Sequence, residues 1–358
     1  MISFGSDNHA GVHPAVLEAI AAANSGFTPA YGADPWTEIL RGALKDHFGP
    51  HAIGYPVFNG TGANVIALAC GLKRYEAVIA AEKSHIDVDE GGAPERVGGM
   101  KLLTIATRDQ KLTPALVREK LARKGDTHAV QPRVLSVTQS TELGTVYSVA
   151  ELRELGKLAG TEGLLFHMDG ARIANAAVAL GCELRDLTTA IGVDILSFGG
   201  TKNGLLGAEA VIGISKAFVE AYGEDLRYTH KQSMQLASKM RFVSAQLLAL
   251  FDGGEGNELW RRNAKHANAM TKLLESEVRK IPEIEIAHAV EANAIFARVP
   301  RKIVSPLQSK FSFYTWDESA AASGAVPGRV LVRWMTSFQT TEGSVRAFAA
   351  EVAKLAHP

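Results

Sequence analysis

A chain of 358 residues, 46% of them hydrophobic and 21% charged, can bury a large core and exceeds the usual size of one compact domain, so one large and one smaller domain are expected. Lys plus Arg and Asp plus Glu both number 38, which excludes the charge excess that recommends nucleic acid or an anionic membrane as a partner. Residues 1–8 carry no basic-then-apolar leader, no segment approaches the roughly 20 apolar residues that span a bilayer, and Cys70 and Cys182, each in an Ala/Leu/Gly-rich context, read as buried thiols rather than a disulfide framework or a metal site; a cytoplasmic protein without a metal is expected.

Residues 1–40, with Ser6-Asp7-Asn8 and Tyr31-Gly32-Ala33-Asp34-Pro35-Trp36, are rich in turn and cap residues around one helical segment, as an arm packing over something else would be. Residues 41–252 are expected as the large domain. Between about 50 and 215, apolar runs of strand length at 77–81, 134–138, 164–168, 195–198 and 210–214 alternate with helix-like segments. That alternation predicts an α/β fold whose mainly parallel sheet is covered by helices. Four runs lead into polar or glycine-rich clusters: Glu82-Lys83-Ser84-His85, Gln139-Ser140-Thr141-Glu142, Asp169-Gly170-Ala171-Arg172 and Gly199-Gly200-Thr201-Lys202. The ligand crevice of an open α/β sheet lies outside the carboxyl ends of its strands, so the four clusters are expected to converge. A long helical stretch is expected through 231–250, and the turn-rich residues 251–257 mark a boundary. Residues 253–358 then make a smaller α+β domain, with a helix to about Lys280, strands at 283–289, 294–299 and 329–335, and a last helix from about Thr340.

Lys202 follows an apolar run on a glycine-flanked turn. A lysine partly desolvated there loses its proton more easily, and a neutral amine attacks an aldehyde. Asp169 closes the run 164–168. It reads either as a cap of a strand-to-helix turn or as a carboxylate beside a pyridine nitrogen, where it would keep a pyridinium protonated as an electron sink. Arg172, three residues on, offers a planar fork to a carboxylate or makes an ordinary ion pair with Asp169. Gly60-Thr61-Gly62, ahead of a helical run at 65–71, lets backbone N–H groups approach a phosphate, and its departure from G-x-G-x-x-G argues against a dinucleotide. His85 falls at the same sheet edge, as a satisfied structural residue or as a ring that stacks on an aromatic group.

With Gly60-Thr61-Gly62, His85, Asp169-Gly170-Ala171-Arg172 and Lys202 in this order, the chain resembles the threonine aldolases, fold-type I pyridoxal-phosphate enzymes related to the aromatic β-eliminating lyases. The likeness runs from Ser6-Asp7-Asn8 to Arg333, nearly the whole chain. It is closest to the low-specificity threonine or phenylserine aldolase branch through Phe198-Gly199-Gly200-Thr201-Lys202-Asn203-Gly204, His167-Met168-Asp169-Gly170-Ala171-Arg172 and Gln235-Leu236-Ala237-Ser238-Lys239-Met240-Arg241-Phe242. The resemblance implies retro-aldol cleavage of a β-hydroxy-α-amino acid to glycine and an aldehyde. Lys202 matches the Schiff-base lysine, Asp169 the pyridine-nitrogen partner, His85 the imidazole over the cofactor ring and the candidate for proton transfer, and Gly60, Thr61 and Gly62 the phosphate loop. Ser6, Arg172 and Arg333 match groups that grip the substrate carboxylate. A homotetramer with sites at dimer interfaces is implied, in which Lys231 reaches the phosphate from a neighbouring subunit. One departure concerns the β-hydroxyl: where many members carry a histidine after the strand at 134–138, this chain has Glu142. Rival readings are another pyridoxal-phosphate reaction on the same scaffold (β-elimination, racemisation, serine hydroxymethyl cleavage), a nucleotide-dependent oxidoreductase using the Gly60-Thr61-Gly62 turn, and a non-catalytic binding protein.

Overall fold

The computed structural model describes residues 2–317 and 328–357. Thirteen strands are found among these residues: β1 Ile2–Ser3, β2 Ile53–Val57, β3 Glu76–Ala81, β4 Lys101–Ile105, β5 Gln131–Thr138, β6 Leu165–Gly170, β7 Ile195–Phe198, β8 Glu209–Gly213, β9 Glu285–Ile286, β10 Ala294–Pro300, β11 Phe311–Ser312, β12 Tyr314–Asp317 and β13 Arg329–Met335. Seven form the principal sheet, in the order β2-β8-β7-β6-β5-β3-β4. The five strands from β4 to β7 in that order are mutually parallel, while β8 runs antiparallel to β7 and β2 antiparallel to β8. Helices on both faces explain why the central strands read as mostly apolar runs. Along β3 the side chains divide with the two-residue period of a strand: Val78 and Ala80 join one buried cluster, Ile79 and Ala81 the other.

The second sheet, β12-β13-β10-β9, is antiparallel throughout. Its apolar face packs with helix Leu259–Val278 and helix Glu342–Ala356 around Trp334 and Phe348. The predicted strand at 283–289 contracts to β9, which pairs with only Ala297 and Arg298 at the sheet edge. The long helix expected through 231–250 is two helices, Lys216–Gln232 and Arg241–Phe251. Between them the chain turns back, with Met234 at a φ of 62°.

The first 40 residues hold the start of two helices, Pro14–Ala22 and Pro35–Phe48, where one helical segment was expected. Each opens with a proline in its first turn, where a missing N–H costs nothing, and Asp34 caps the second by accepting from the Thr37 amide at 2.9 Å. Ahead of them the chain is stitched to the second sheet. β1 pairs in parallel with β11, Phe4 is fully buried in the Trp334 cluster, and the Met335 amide donates to the Phe4 carbonyl at 2.8 Å. Among the described residues, no helix is long and apolar enough to cross a membrane.

Candidate active site

Turns at the carboxyl ends of β3, β6 and β7 converge on a cavity of about 210 Å³, lined among others by Asn8, Gly60, Thr61, His85, Asp169 and Lys202. Two of those turns touch backbone to backbone. The Gly199 amide donates to the Gly170 carbonyl at 3.2 Å, and a Cβ on Gly199 would sit 2.4 Å from the Ala171 carbonyl oxygen and 2.6 Å from its Cα. Only glycine lets the turns bearing Lys202 and Asp169 meet this closely.

Lys202 lies half-buried on a single 3₁₀ turn, Thr201–Asn203. Both ends of that turn are tied down. The Gly200 amide donates to the Glu209 carboxylate, whose burial raises its pKa, and Asn203 exchanges hydrogen bonds with the Trp260 carbonyl (2.9 Å) and the Asn263 amide (2.8 Å). Asp169 is 4% exposed and accepts from the Asn64 side-chain amide at 2.9 Å and the Ala171 backbone amide at 3.0 Å. Among the described residues it forms no ion pair, so a buried carboxylate faces the cavity without a counter-ion, a costly arrangement unless a cation arrives. His85 enters the cavity from the first position of a short helix, and its Nδ1 lies 2.8 Å from the buried Glu90 carboxylate. That hydrogen bond raises the imidazole pKa, outweighing burial, with the charges of Glu142 and Asp169 acting in the same direction.

Gly60-Thr61-Gly62 is the first turn of helix Gly60–Ala69, not a loop ahead of it. Gly60 and Thr61 line the cavity, whereas Gly62 is capped by Asn59 at 2.7 Å and packs beside Gln235. The helix N-terminus therefore opens on the cavity, an arrangement suited to a phosphate.

Arg172 does not pair with Asp169. Its fork is taken by Asp7, through Nε to Oδ2 at 2.7 Å and Nη2 to Oδ1 at 3.0 Å, and the Asn293 amide adds a third donor to Asp7 at 3.1 Å. Burial alone would raise the Asp7 pKa; the guanidinium outweighs it and holds the carboxyl below the usual carboxylate range. Arg333 donates through Nη2 to the Gly5 carbonyl at 3.0 Å and lies over the rings of Trp316 (4.7 Å) and Tyr314 (5.5 Å), while its Nε is buried without a partner. Burial and the neighbouring Arg172 charge lower its pKa. Ser6 caps the Asn8 amide at 3.2 Å. Glu142 is 8% exposed and stands outside the cavity lining, though its charge reaches His85, Arg172 and Arg333. Lys231 is exposed, away from this cavity, with its ammonium 5.2 Å from the Tyr31 ring.

Sequence reasoning passed over four residues that the geometry brings in: Asn64, Glu90, Asp7 and His167. His167 is fully buried and spans three strands, bonded to Ser136 on β5 at 2.9 Å and to Ser197 on β7 at 3.0 Å; burial pushes its pKa down to about 4, so it is neutral beneath Asp169. A polar residue inside an apolar strand or helix, as His167 and Asn64 are, was the available signal.

The β-eliminating lyase family model matches residues 3–301. A low specificity L-threonine aldolase of a Pseudomonas species is 40% identical over 351 residues, covering 98% of this chain and 96% of that protein, and one from Pseudomonas aeruginosa is 38% identical with the same coverage. Among solved structures, a threonine aldolase of Leishmania major superposes with a TM-score of 0.91 at 27% identity, covering 99% of this chain and all of the other.

Proposed function

The chain belongs to the β-eliminating lyase family, on its threonine aldolase branch, and from that premise we propose that it is a pyridoxal-phosphate lyase cleaving L-threonine and related β-hydroxy-α-amino acids to glycine and an aldehyde. The observation that carries the reading is the shared cavity of Lys202 and Asp169, an amine able to hold an aldehyde and a buried carboxylate lacking a cation. The residues fit the cofactor: Lys202 would hold its aldehyde, Asp169 would face its ring nitrogen, and the first turn of helix Gly60–Ala69 would take its phosphate. Once bound, the cofactor supplies an electron sink for the charge left at Cα when the Cα–Cβ bond breaks.

The protein's own part is placement and proton transfer. Asp169 keeps the ring nitrogen protonated. Arg333, with Ser6 and Arg172, orients the substrate carboxylate, and this orientation decides which Cα bond aligns for cleavage. His85, directly or through a water it holds, takes the β-hydroxyl proton, and Glu142, as an acceptor only, holds that hydroxyl less selectively than an imidazole would. The reading includes a homotetramer in which Lys231 serves a neighbouring subunit's phosphate. Its exposure outside its own cavity supports this, as do the exposed apolar side chains of Phe58, Leu206 and Met234.

Borohydride reduction tests the assignment. The purified protein is expected to absorb near the visible edge, to lose that band on reduction, and to carry the reduced cofactor on Lys202. Label on a different lysine removes Lys202 from its role, and ammonia plus a keto acid in place of glycine plus an aldehyde moves the chemistry to β-elimination.

A further inference from the structure

Behind the cavity wall, four side chains from three segments form one buried chain of hydrogen bonds. Glu90 Oε1 accepts from His85 Nδ1 at 2.8 Å and from Asn64 Nδ2 at 2.7 Å, and the same Asn64 nitrogen donates to Asp169 Oδ2 at 2.9 Å. The Glu90 side chain is 0% exposed, and Asn64 is 2% exposed. Neither contributes to the cavity lining, whereas His85 and Asp169 both do.

The orientation of Asn64 follows from its neighbours. Both protons of its nitrogen are used on carboxylates; a flipped amide would set its oxygen against two anions. Two buried carboxylates thus share one neutral amide, and each needs a positive partner elsewhere. The Glu90 side meets the His85 imidazole. Asp169, at the other end, faces the cavity.

We propose that Glu90 is a positioning residue of the reaction: its carboxylate fixes the His85 ring by Nδ1 and, through Asn64, locks that ring to Asp169 as a single unit. A carboxylate only accepts, so neutral His85 is held as the Nδ1–H tautomer, with Nε2 left as the proton-accepting nitrogen. Four charged groups act on this imidazole: Glu90 by direct contact, then Glu142 and Asp169, which favour the cation, and Lys202, which opposes it. The inference rests on the proposed aldolase reading for what His85 does in turnover. The contact itself does not depend on that reading.

Glu90→Gln separates charge from shape. Glu90 Oε2 has no hydrogen-bond partner, so the glutamine NH₂ fits there while its oxygen keeps both bonds at Oε1. The test is a pH titration of the His85 ring by ¹⁵N and ¹H NMR in the cofactor-loaded enzyme, with the signal assigned by its loss in His85→Gln. Wild-type His85 should titrate above the ordinary imidazole value of about 6.5 as the Nδ1–H tautomer. In Glu90→Gln the midpoint should fall below the wild-type midpoint, and in Glu90→Asp the retained charge should restore it at least in part. An unchanged midpoint in Glu90→Gln overturns the proposal. An Nε2–H tautomer in the wild type overturns it too, and that measurement needs no variant to fold. A base must be deprotonated to act, so the acid limb of kcat/KM should move to lower pH with the NMR midpoint. A limb that stays while the midpoint moves upholds the Glu90 contact and removes His85 from proton transfer.

Discussion

Replacing Asp7 by Asn removes the only carboxylate, among the described residues, that pairs with Arg172. The side chains of the pair are 1% and 8% exposed, the contact is bidentate at 2.7 and 3.0 Å, and Asn293 donates to the same carboxylate. An asparagine offers one acceptor oxygen and turns its NH₂ toward donors, so at least one N–H of Arg172 or Asn293 loses its partner while the guanidinium stays buried. Breaking a buried pair from one side costs about 3–5 kcal/mol, against about 0–1 kcal/mol for an exposed one. Equilibrium urea unfolding of cofactor-free wild type and Asp7→Asn at pH 7 measures the difference without the contribution of ligand binding. Its pH dependence carries a sign. The Asp7 pKa is lowered on folding from an ordinary value of 3.8, so its stabilisation is fully present above that value and is lost as pH falls through the lower, folded one. The gap between the two proteins should therefore be the same at pH 7 and pH 5 and close only in stronger acid. A loss under about 1 kcal/mol at pH 7, or a gap already gone at pH 5, refutes the buried-pair reasoning.

Asp169→Ala should retain some cofactor yet lose several orders of magnitude in kcat, because the ring nitrogen is no longer held protonated; near-normal turnover in the loaded variant removes Asp169 from that role. Arg333→Ala should act mainly on KM, with about 2–4 kcal/mol lost from kcat/KM if a desolvated carboxylate contact disappears. Unchanged KM with a lower melting temperature makes Arg333 a structural partner of Gly5, Tyr314 and Trp316 instead. With Glu142 near the hydroxyl, wild type should cleave both threo and erythro substrates of the L series, and Glu142→Ala should change their ratio more than the rate, whereas His85→Ala depresses both. A preference above about a hundredfold, roughly 2.7 kcal/mol, defeats that account of Glu142.

The principal sheet was legible because its central strands are buried on both faces and therefore mostly apolar, as β6 and β7 are apart from His167, Asp169 and Ser197. Its two edges were not. β2 carries Gly54 and Pro56, which read as turn residues, and β4 is only partly buried. The break at 233–240 escaped notice because Ser233, Gln235 and Ser238 are compatible with a helix and the positive φ falls on a methionine. Local spacing singled out Lys202, Asp169 and His85, each at the end of a strand or just past it, and the fold brings all three to one cavity. It suggested the wrong partner for Arg172, since a pairing three residues apart is visible in sequence and one 165 residues apart is not. Glu90 follows His85 by five residues, just past the short helix His85–Val88, a spacing with no periodic signature.

The Asp7 contacts also bear on how the enzyme comes to life. Arg172 reaches Asp7 across 165 positions, Asn293 across 286, and Arg333 reaches Gly5 across 328. Closing loops this long adds little to their entropic cost, which grows only with the logarithm of length, but contacts so remote in sequence form slowly. Each sheet can gather its helices while the crevice is still open. During refolding, ellipticity should return first and catalysis last, so turnover is a clock for the final docking of the two ends of the polypeptide.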